Sequence, residues 1–276
     1  MDKRLLTIQD ISCVGQCSLT VALPVISACG IETAILPSSV LSNHTAKGFS
    51  GWTFCDLTEE MPKILKQWQK ENITFDAFYT GYVSKAQIPY ILDIIEKTAN
   101  DGALRIVDPV MADYGVLYKG FDDDFPQEMT KLCKNADVVL PNITEASLML
   151  GMEYKENGYD KGYIETMLHG LHDLGAKNAV LTGVSFKEGE LGVACFDGKE
   201  INYYFTEKLN VSMHGTGDAY ASAFTGALLR GKTLLEAASI AANFVVESIK
   251  MTIPDKSHWY GVKFEKALPK LIEMLK

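Results

Sequence analysis

VSMHGTGDAYASAFTGALL, residues 211–229, runs from a glycine-rich turn straight into an Ala-rich, helix-forming segment. The first turn of a helix leaves its N–H groups unpaired and carries the positive end of the helix dipole. Gly215, Thr216 and Gly217 are therefore placed to hold an anion against the main chain. Asp218 follows in the first helical turn, where the dipole favours an ionised carboxylate able to accept a proton from a hydroxyl. Taken alone, Gly-Thr-Gly-Asp also reads as an ordinary turn and cap. The rest of the chain tips that balance.

The chain has 276 residues, 47% of them hydrophobic, enough for one large α/β domain, and a single domain over residues 1–276 is the expectation. Its net charge of −9 disfavours nucleic acid as a partner, while a local anion pocket made of backbone amides stays open. No apolar run approaches the roughly 20 residues that span a bilayer, and the first residues meet Asp10 before a signal-like apolar segment forms. The expected location is the cytoplasm, with no membrane partner. Six cysteines show no CxxC pair and read as reduced, mostly packed thiols.

Working outward from residue 211, apolar runs at 5–11, 33–36, 77–80, 104–107, 138–140 and 179–181 alternate with amphipathic segments at 59–70, 88–99, 127–134 and 163–174. That alternation predicts a mostly parallel sheet covered by helices on both faces, a three-layer α/β/α sandwich. The runs at 192–196 and 200–205 flank Asp197-Gly198, which predicts an antiparallel edge hairpin. Helices are expected at 216–229, 233–250 and 262–275, with Pro254 between the last two. Residues 226–233 satisfy the P-loop pattern letter for letter, but they end a helix-forming run instead of following a strand. Gly231 reads as a helix stop and Thr233 with Glu236 as a capping box.

Ligands of such sheets bind beyond the carboxyl ends of the strands. Asp108 lies at one such exit, ahead of Pro109, and Asn142 and Glu145 lie at another. Asp108, Asn142 and Glu145 together suit Mg2+ held through water, although Asn142 or Thr144 as a plain helix cap accounts for the second cluster equally well. Two acids at strand exits beside an anion-binding turn fit Mg-nucleotide phosphates better than either feature does alone. Among the aromatic and histidine residues, Trp52, Trp68 and Trp259 read as packing residues, and His169 and His172 as solvated ones.

Gly215-Thr216-Gly217-Asp218 resembles the anion-hole signature of the ribokinase superfamily, and Asn142-Ile143-Thr144-Glu145 resembles its NxxE motif. Ile8-Gln9-Asp10, Gly15, residues 42–45, residues 80–82 and residues 108–111 are similar to the vitamin B6 kinase branch, the pyridoxal kinases. The resemblance runs over essentially the full length and implies a ribokinase-like fold. It implies ATP-dependent phosphorylation of the 5′-hydroxymethyl group of pyridoxal, pyridoxamine or pyridoxine. By position it makes Asp218 the base and residues 215–217 the phosphoryl cradle. Glu145 and Asp108 become the Mg2+ acids, and Thr182 and Gly183, with the segment before the turn, the nucleotide walls. Asp10, Thr45 and Tyr82 become the vitamin pocket, with His44 in the same segment, and residues 113–125 a flap over ATP. The implied cofactors are ATP and Mg2+, with a monovalent cation such as K+ as a third candidate, and the implied assembly is a homodimer.

This chain departs from the pattern at Asp10, where many members have serine, and at Ser18, where an asparagine is often found. A hydroxymethylpyrimidine or sugar kinase of the same superfamily remains an alternative, as do a non-catalytic B6-binding protein and a scaffold that only retains the fold.

Overall fold

A computed structural model describes residues 3–45 and 48–276. In chain order the elements are β1 (Arg4–Ser12), α1 (Leu19–Ala28), β2 (Glu32–Leu41), β3 (Phe54–Asp56), α2 (Met61–Lys70), β4 (Phe75–Thr80) and α3 (Ile88–Thr98). Next come β5 (Ala99–Val107), β6 (Ala112–Asp113), β7 (Val116–Leu117), α4 (Phe125–Cys133), β8 (Val138–Val139), α5 (Ile143–Leu150) and α6 (Lys161–Asp173). The C-terminal part holds β9 (Asn178–Val184), β10 (Glu190–Phe196), β11 (Ile201–Glu207), α7 (Thr216–Leu229), α8 (Leu234–Thr252) and α9 (Leu268–Met274).

Nine strands form one sheet in the order β11-β10-β9-β8-β5-β4-β1-β2-β3. Its centre is parallel, because each pair from β2 to β9 is joined through a covering helix. The expected hairpin closes one edge, with β10 antiparallel to both β9 and β11. The other edge is antiparallel as well, since β3 pairs antiparallel with β2. That strand lies outside the sequence expectation: its three residues are all exposed and carry no hydrophobic alternation.

Each face of the sheet has its own apolar core, which is what the alternation of side chains along a strand requires. Leu6, Ile8, Phe75 and Phe78 pack with residues of α2 to α6 on one side. Leu5, Ala77, Tyr79 and Ile106 pack with residues of α1, α7, α8 and α9 on the other. The α/β/α sandwich is therefore present as expected.

The capping box at Thr233 and Glu236 starts α8, and Gly231 takes a left-handed φ of 87° after α7, so the P-loop reading fails on geometry. The last helix is shorter than expected and starts only at Leu268, after a 3-10 turn at Phe264–Lys266. Pro269 sets that start, while the N–H of Val262 bonds His214 O and that of Lys263 bonds Thr252 Oγ1. Among the described residues no helix is long and apolar enough to cross a membrane. Cys29, Cys133 and Cys195 are buried and Cys17 half-buried, all as free thiols, in line with mostly packed cysteines, whereas Cys13 and Cys55 are exposed.

Candidate active site

The parallel strands all deliver their carboxyl ends to one rim. Asp10 arrives near the end of β1, Gly81 and Tyr82 just after β4, Asp108 after β5, and Asn142 after β8. A parallel bridge between Asn142 and Thr182 draws β9 onto the same rim. Opposite them lies the start of α7.

Gly215 is the N-cap of α7, in the left-handed region at φ 76°. A Cβ there would lie 1.7 Å from the carbonyl oxygen of Gln16, so glycine is required both by conformation and by the approach of the residue 15–18 loop. Gly217 differs: a Cβ there would meet nothing within 4 Å. The space beside the first turn of α7 is open, as a cradle for an anion needs.

Asp218 is half-buried. Limited solvation, with the charge of Asp10 added to it, pushes its pKa up to about 7, against the N–H groups of Ser18 and of Asp218 itself. The sequence argument, that a first-turn carboxylate is held ionised, is thus reversed. A helix terminus contributes at most about 2 kcal/mol, while burial shifts carboxylates by as much as 3–5 units, and here burial wins.

Asp10 is 5% exposed and sits at an irregularity in the β1–β2 register, between Gln9 and Ile11. A bulge of this kind turns a side chain away from the regular alternation. Ser12 Oγ donates to Asp10 Oδ2 at 3.0 Å, and Ser18 contributes a second hydroxyl. Burial nevertheless raises its pKa. Ser18 links the two acids. It caps α1 with φ 50°, a strained region for a residue with a side chain, and from there its backbone addresses Asp218 while its hydroxyl addresses Asp10. Between the same acids lies the thiol of Cys17, held neutral first by burial and then by Asp218 and Asp10. In the sequence Ser18 stands out only as a departure from the family pattern. A serine at positive φ has no local signature.

On the other side of the rim, Glu145 completes a capping box. Its N–H donates to Asn142 Oδ1 at 2.8 Å, and the Asn142 N–H donates to Glu145 Oε2 at 2.9 Å. The Met111 N–H reaches Glu145 Oε1 at 3.1 Å, and Asn142 Nδ2 donates to Ala112 O at 2.9 Å. Asn142 caps α5, and both ends of its amide are engaged by the protein. Glu145 is only 4% exposed, and burial pushes its pKa up to about 8 in spite of those N–H groups.

Asp108 is 7% exposed. Burial raises its pKa first, followed by the charges of Glu145 and Asp218, and no basic side chain opposes them. Buried acids without a cation among them fit a hard divalent ion with oxygen ligands. Among the described residues no three His, Cys, Asp or Glu side chains gather as a metal cage, so the fit is to an ion that keeps most of its water.

Burial raises the pKa of Tyr118, from the stretch expected as a flap, and the charges of Glu145, Asp113, Asp218 and Asp108 add to it. The first half of that stretch belongs to a β6–β7 hairpin anchored by the Gly115 N–H on Thr144 Oγ1 at 3.1 Å. The second half turns the other way. Lys119, Gly120, Phe121 and Asp122 line a cavity of about 460 Å³ with Thr45, Tyr82 and Trp52, so this half adjoins Thr45 and Tyr82, the residues expected in the vitamin pocket. Phe121 stands with its ring centroid 5.3 Å from that of Tyr82.

Trp52, expected to pack, is 44% exposed and lines this cavity; Trp68 packs on Phe75, while Trp259, also expected to pack, contacts Phe49 yet is 48% exposed. His44 is buried and does not line the cavity, its Nε2 lying 3.0 Å from Tyr260 O and its ring against Phe49 and His214. His169 and His172 are exposed as expected, each with an edge against Phe196. A second cavity of about 390 Å³ lies beyond Thr182 and Gly183, between Ser185, Lys187, Lys208 and Asn210.

A parallel sheet of this order, with a glycine-rich helix start and three acids at its carboxyl rim, defines a ribokinase-like α/β protein. The family model described as phosphomethylpyrimidine kinase matches residues 55–262, and this chain belongs to that family. A Bacteroides thetaiotaomicron protein carrying the provisional name phosphomethylpyrimidine kinase, solved with pyridoxal, is 35% identical over 98% of this chain and 96% of its own, with a TM-score of 0.91. Pyridoxal kinase from Lactobacillus plantarum is 32% identical over 99% and 97%, with a TM-score of 0.90. Pyridoxal kinase from Dictyostelium discoideum is 28% identical over 92% of this chain and 90% of that protein.

Proposed function

We propose that this chain is an ATP-dependent kinase for the 5′-hydroxymethyl group of a vitamin B6 vitamer: pyridoxal, pyridoxamine or pyridoxine. The observation that carries the reading is the placement of Asp218 beside the open face of Gly217, with Asp10 and Tyr82 on neighbouring strand ends. The likeness to proteins named pyridoxal kinase, and to one solved with pyridoxal, supports the vitamer.

In this reading the substrate hydroxyl oxygen forms a bond to the γ-phosphorus of ATP as the bond to the ADP oxygen breaks, and Asp218 accepts the hydroxyl proton. Alcohol and carboxylate differ too far in pKa for prior deprotonation, so Asp218 acts within the transition state. The N–H groups of residues 215–217 face the phosphoryl oxygens, where fixed dipoles act without reorganising. Asp108 and Glu145 would hold Mg2+ through water, and the ion supplies charge neutralisation on the phosphates. Thr182 and Gly183 border the nucleotide, Asp10, Thr45 and Tyr82 the vitamin, and the 113–125 segment excludes water. His44 serves by shaping the 15–18 loop through its contact with Gly15. The same reading takes residues 1–276 as one domain acting in the cytoplasm as a homodimer, with K+ as a candidate activator.

A second reading follows from the family's own description: hydroxymethylpyrimidine as the substrate of the same chemistry. One assay separates the two. ADP release is followed with Mg-ATP and, in parallel, pyridoxal, pyridoxamine, pyridoxine, hydroxymethylpyrimidine and ribose. Turnover with a B6 vitamer, reduced at least roughly 100-fold in a folded Asp218→Asn variant that still binds ATP, is expected. Turnover with the pyrimidine alone moves the substrate to the second reading, and silence with vitamer binding intact makes the chain a binding protein.

A further inference from the structure

Asp10 is a buried carboxylate held by two hydroxyls and its own backbone N–H. Ser12 Oγ donates at 3.0 Å and Ser18 adds its own hydroxyl, whereas an ionised carboxylate offers about four acceptor positions. Among the described residues no lysine, arginine or histidine acts on it. Lys85 and Lys119 line the cavity beyond Tyr82, and Lys85 is occupied by Asp124 and Asp122. The other acid of the pocket, Asp218, adds repulsion. A carboxylate buried without a counter-ion is costly, and the cation that this one lacks is not supplied by the described residues.

We propose that the substrate supplies it: Asp10 makes this pocket selective for a cationic aromatic alcohol, one that presents a positively charged N–H donor to the β1 terminus while its hydroxymethyl group faces Asp218. The inference rests on the kinase reading above and names the charge state that the site takes. Two chemical sources offer the donor, a protonated ring nitrogen and an ammonium on a ring substituent. A neutral hydroxyl at this position would accept such a molecule without preferring its charge. Asp10 is on this account a specificity residue that touches substrate and leaves the transferring phosphoryl group alone.

The test compares the wild type with Asp10→Asn and Asp10→Ser, each first shown to be folded by its thermal transition. Specificity constants are measured for pyridoxamine, which carries an ammonium, and for pyridoxine, which carries only the ring nitrogen. Absorption spectra of bound pyridoxine, taken above the pH at which its free ring loses its proton, report the ring's charge. Two results uphold the proposal. One is a wild-type preference for pyridoxamine that falls at least roughly tenfold in both variants, mainly through KM, which assigns the ammonium. The other is a protonated-ring spectrum in the wild type that is lost in both variants, which assigns the ring nitrogen. A neutral ring in the wild type together with an unchanged ratio of the two vitamers in both variants overturns it. If the wild type turns over no vitamer at all, the B6 reading itself fails, and that outcome is distinct from the others.

Discussion

The Cβ that Gly215 lacks would stand 1.7 Å from the carbonyl oxygen of Gln16. Two segments some 200 positions apart in sequence meet there backbone to backbone, and the backbone of Ser18, in the same loop, hydrogen-bonds Asp218 in the first turn of α7. Gly215→Ala combines left-handed strain with a clash against main chain that has no soft side chain to yield. A loss of about 2–4 kcal/mol is expected. Gly217→Ala is the control, because its Cβ meets nothing. That variant keeps its stability or gains up to about 1 kcal/mol of helix propensity, yet its methyl fills the cradle, and turnover drops roughly 100-fold. Chemical denaturation and steady-state rates on the pair check both. Full activity in a folded Gly217→Ala protein removes the cradle from the mechanism.

Stability and activity should respond to pH in opposite directions. Burial raises the pKa of Asp10, Asp108, Glu145 and Asp218, the last two to about 8 and about 7. A group whose folded pKa lies above its unfolded value near 4 stabilises the fold fully below that unfolded value and loses the contribution as pH rises through the folded one. The metal-free protein should therefore lose thermal stability between pH 5.5 and 8.5, by roughly 5–10 °C. Carboxylates held low, such as Asp76, titrate below this window. Asp218 must be ionised to act as a base, so kcat/KM should climb over the same range with a midpoint near 7. Thermal melts and a pH–rate profile measure the two trends. A melting temperature that rises from pH 5.5 to 8.5 contradicts the buried, uncompensated acids.

The alternation of apolar runs and amphipathic segments carried the parallel core, because helix and strand periods are local properties of the chain. The rim could be located for the same reason: a parallel sheet sends its ligands to the carboxyl ends of its strands. Edge strand β3 escaped since Phe54, Cys55 and Asp56 are all exposed and pair with nothing on a second side. What local patterns cannot carry is competition. Asn142 sits on the rim as expected, yet its amide is shared between Glu145 N–H and Ala112 O, a choice made by the neighbouring chain. Asp218 lies in a first helical turn as expected, but Asp10 and the burial around it reverse the sign of its shift, and proximity between positions 10 and 218 exists only in the folded state. Trp52 reads as core by composition and faces a cavity because β3 carries its neighbourhood to the sheet edge.

Glu145 has two duties that substitution can separate. Its carboxylate accepts the N–H groups of Asn142 and Met111, so it holds the start of α5 to the chain leaving β5. Glu145→Ala leaves both donors buried without a partner, and a loss of about 2–4 kcal/mol is expected. Glu145→Gln retains an oxygen for one of them and removes the buried charge, so its melting temperature should stay within a few degrees of the wild type. If Glu145 also organises Mg2+ through water, the Gln variant will need at least roughly tenfold more Mg2+ for half its maximal rate, the range found when groups supporting a metal site are changed. A purely structural Glu145 predicts the reverse: a normal Mg2+ titration in the Gln variant, with all of the damage confined to the stability of Ala. A Mg2+ titration of the folded Gln protein decides between them, since the helix cap is largely preserved and only the charge facing Asp108 has gone.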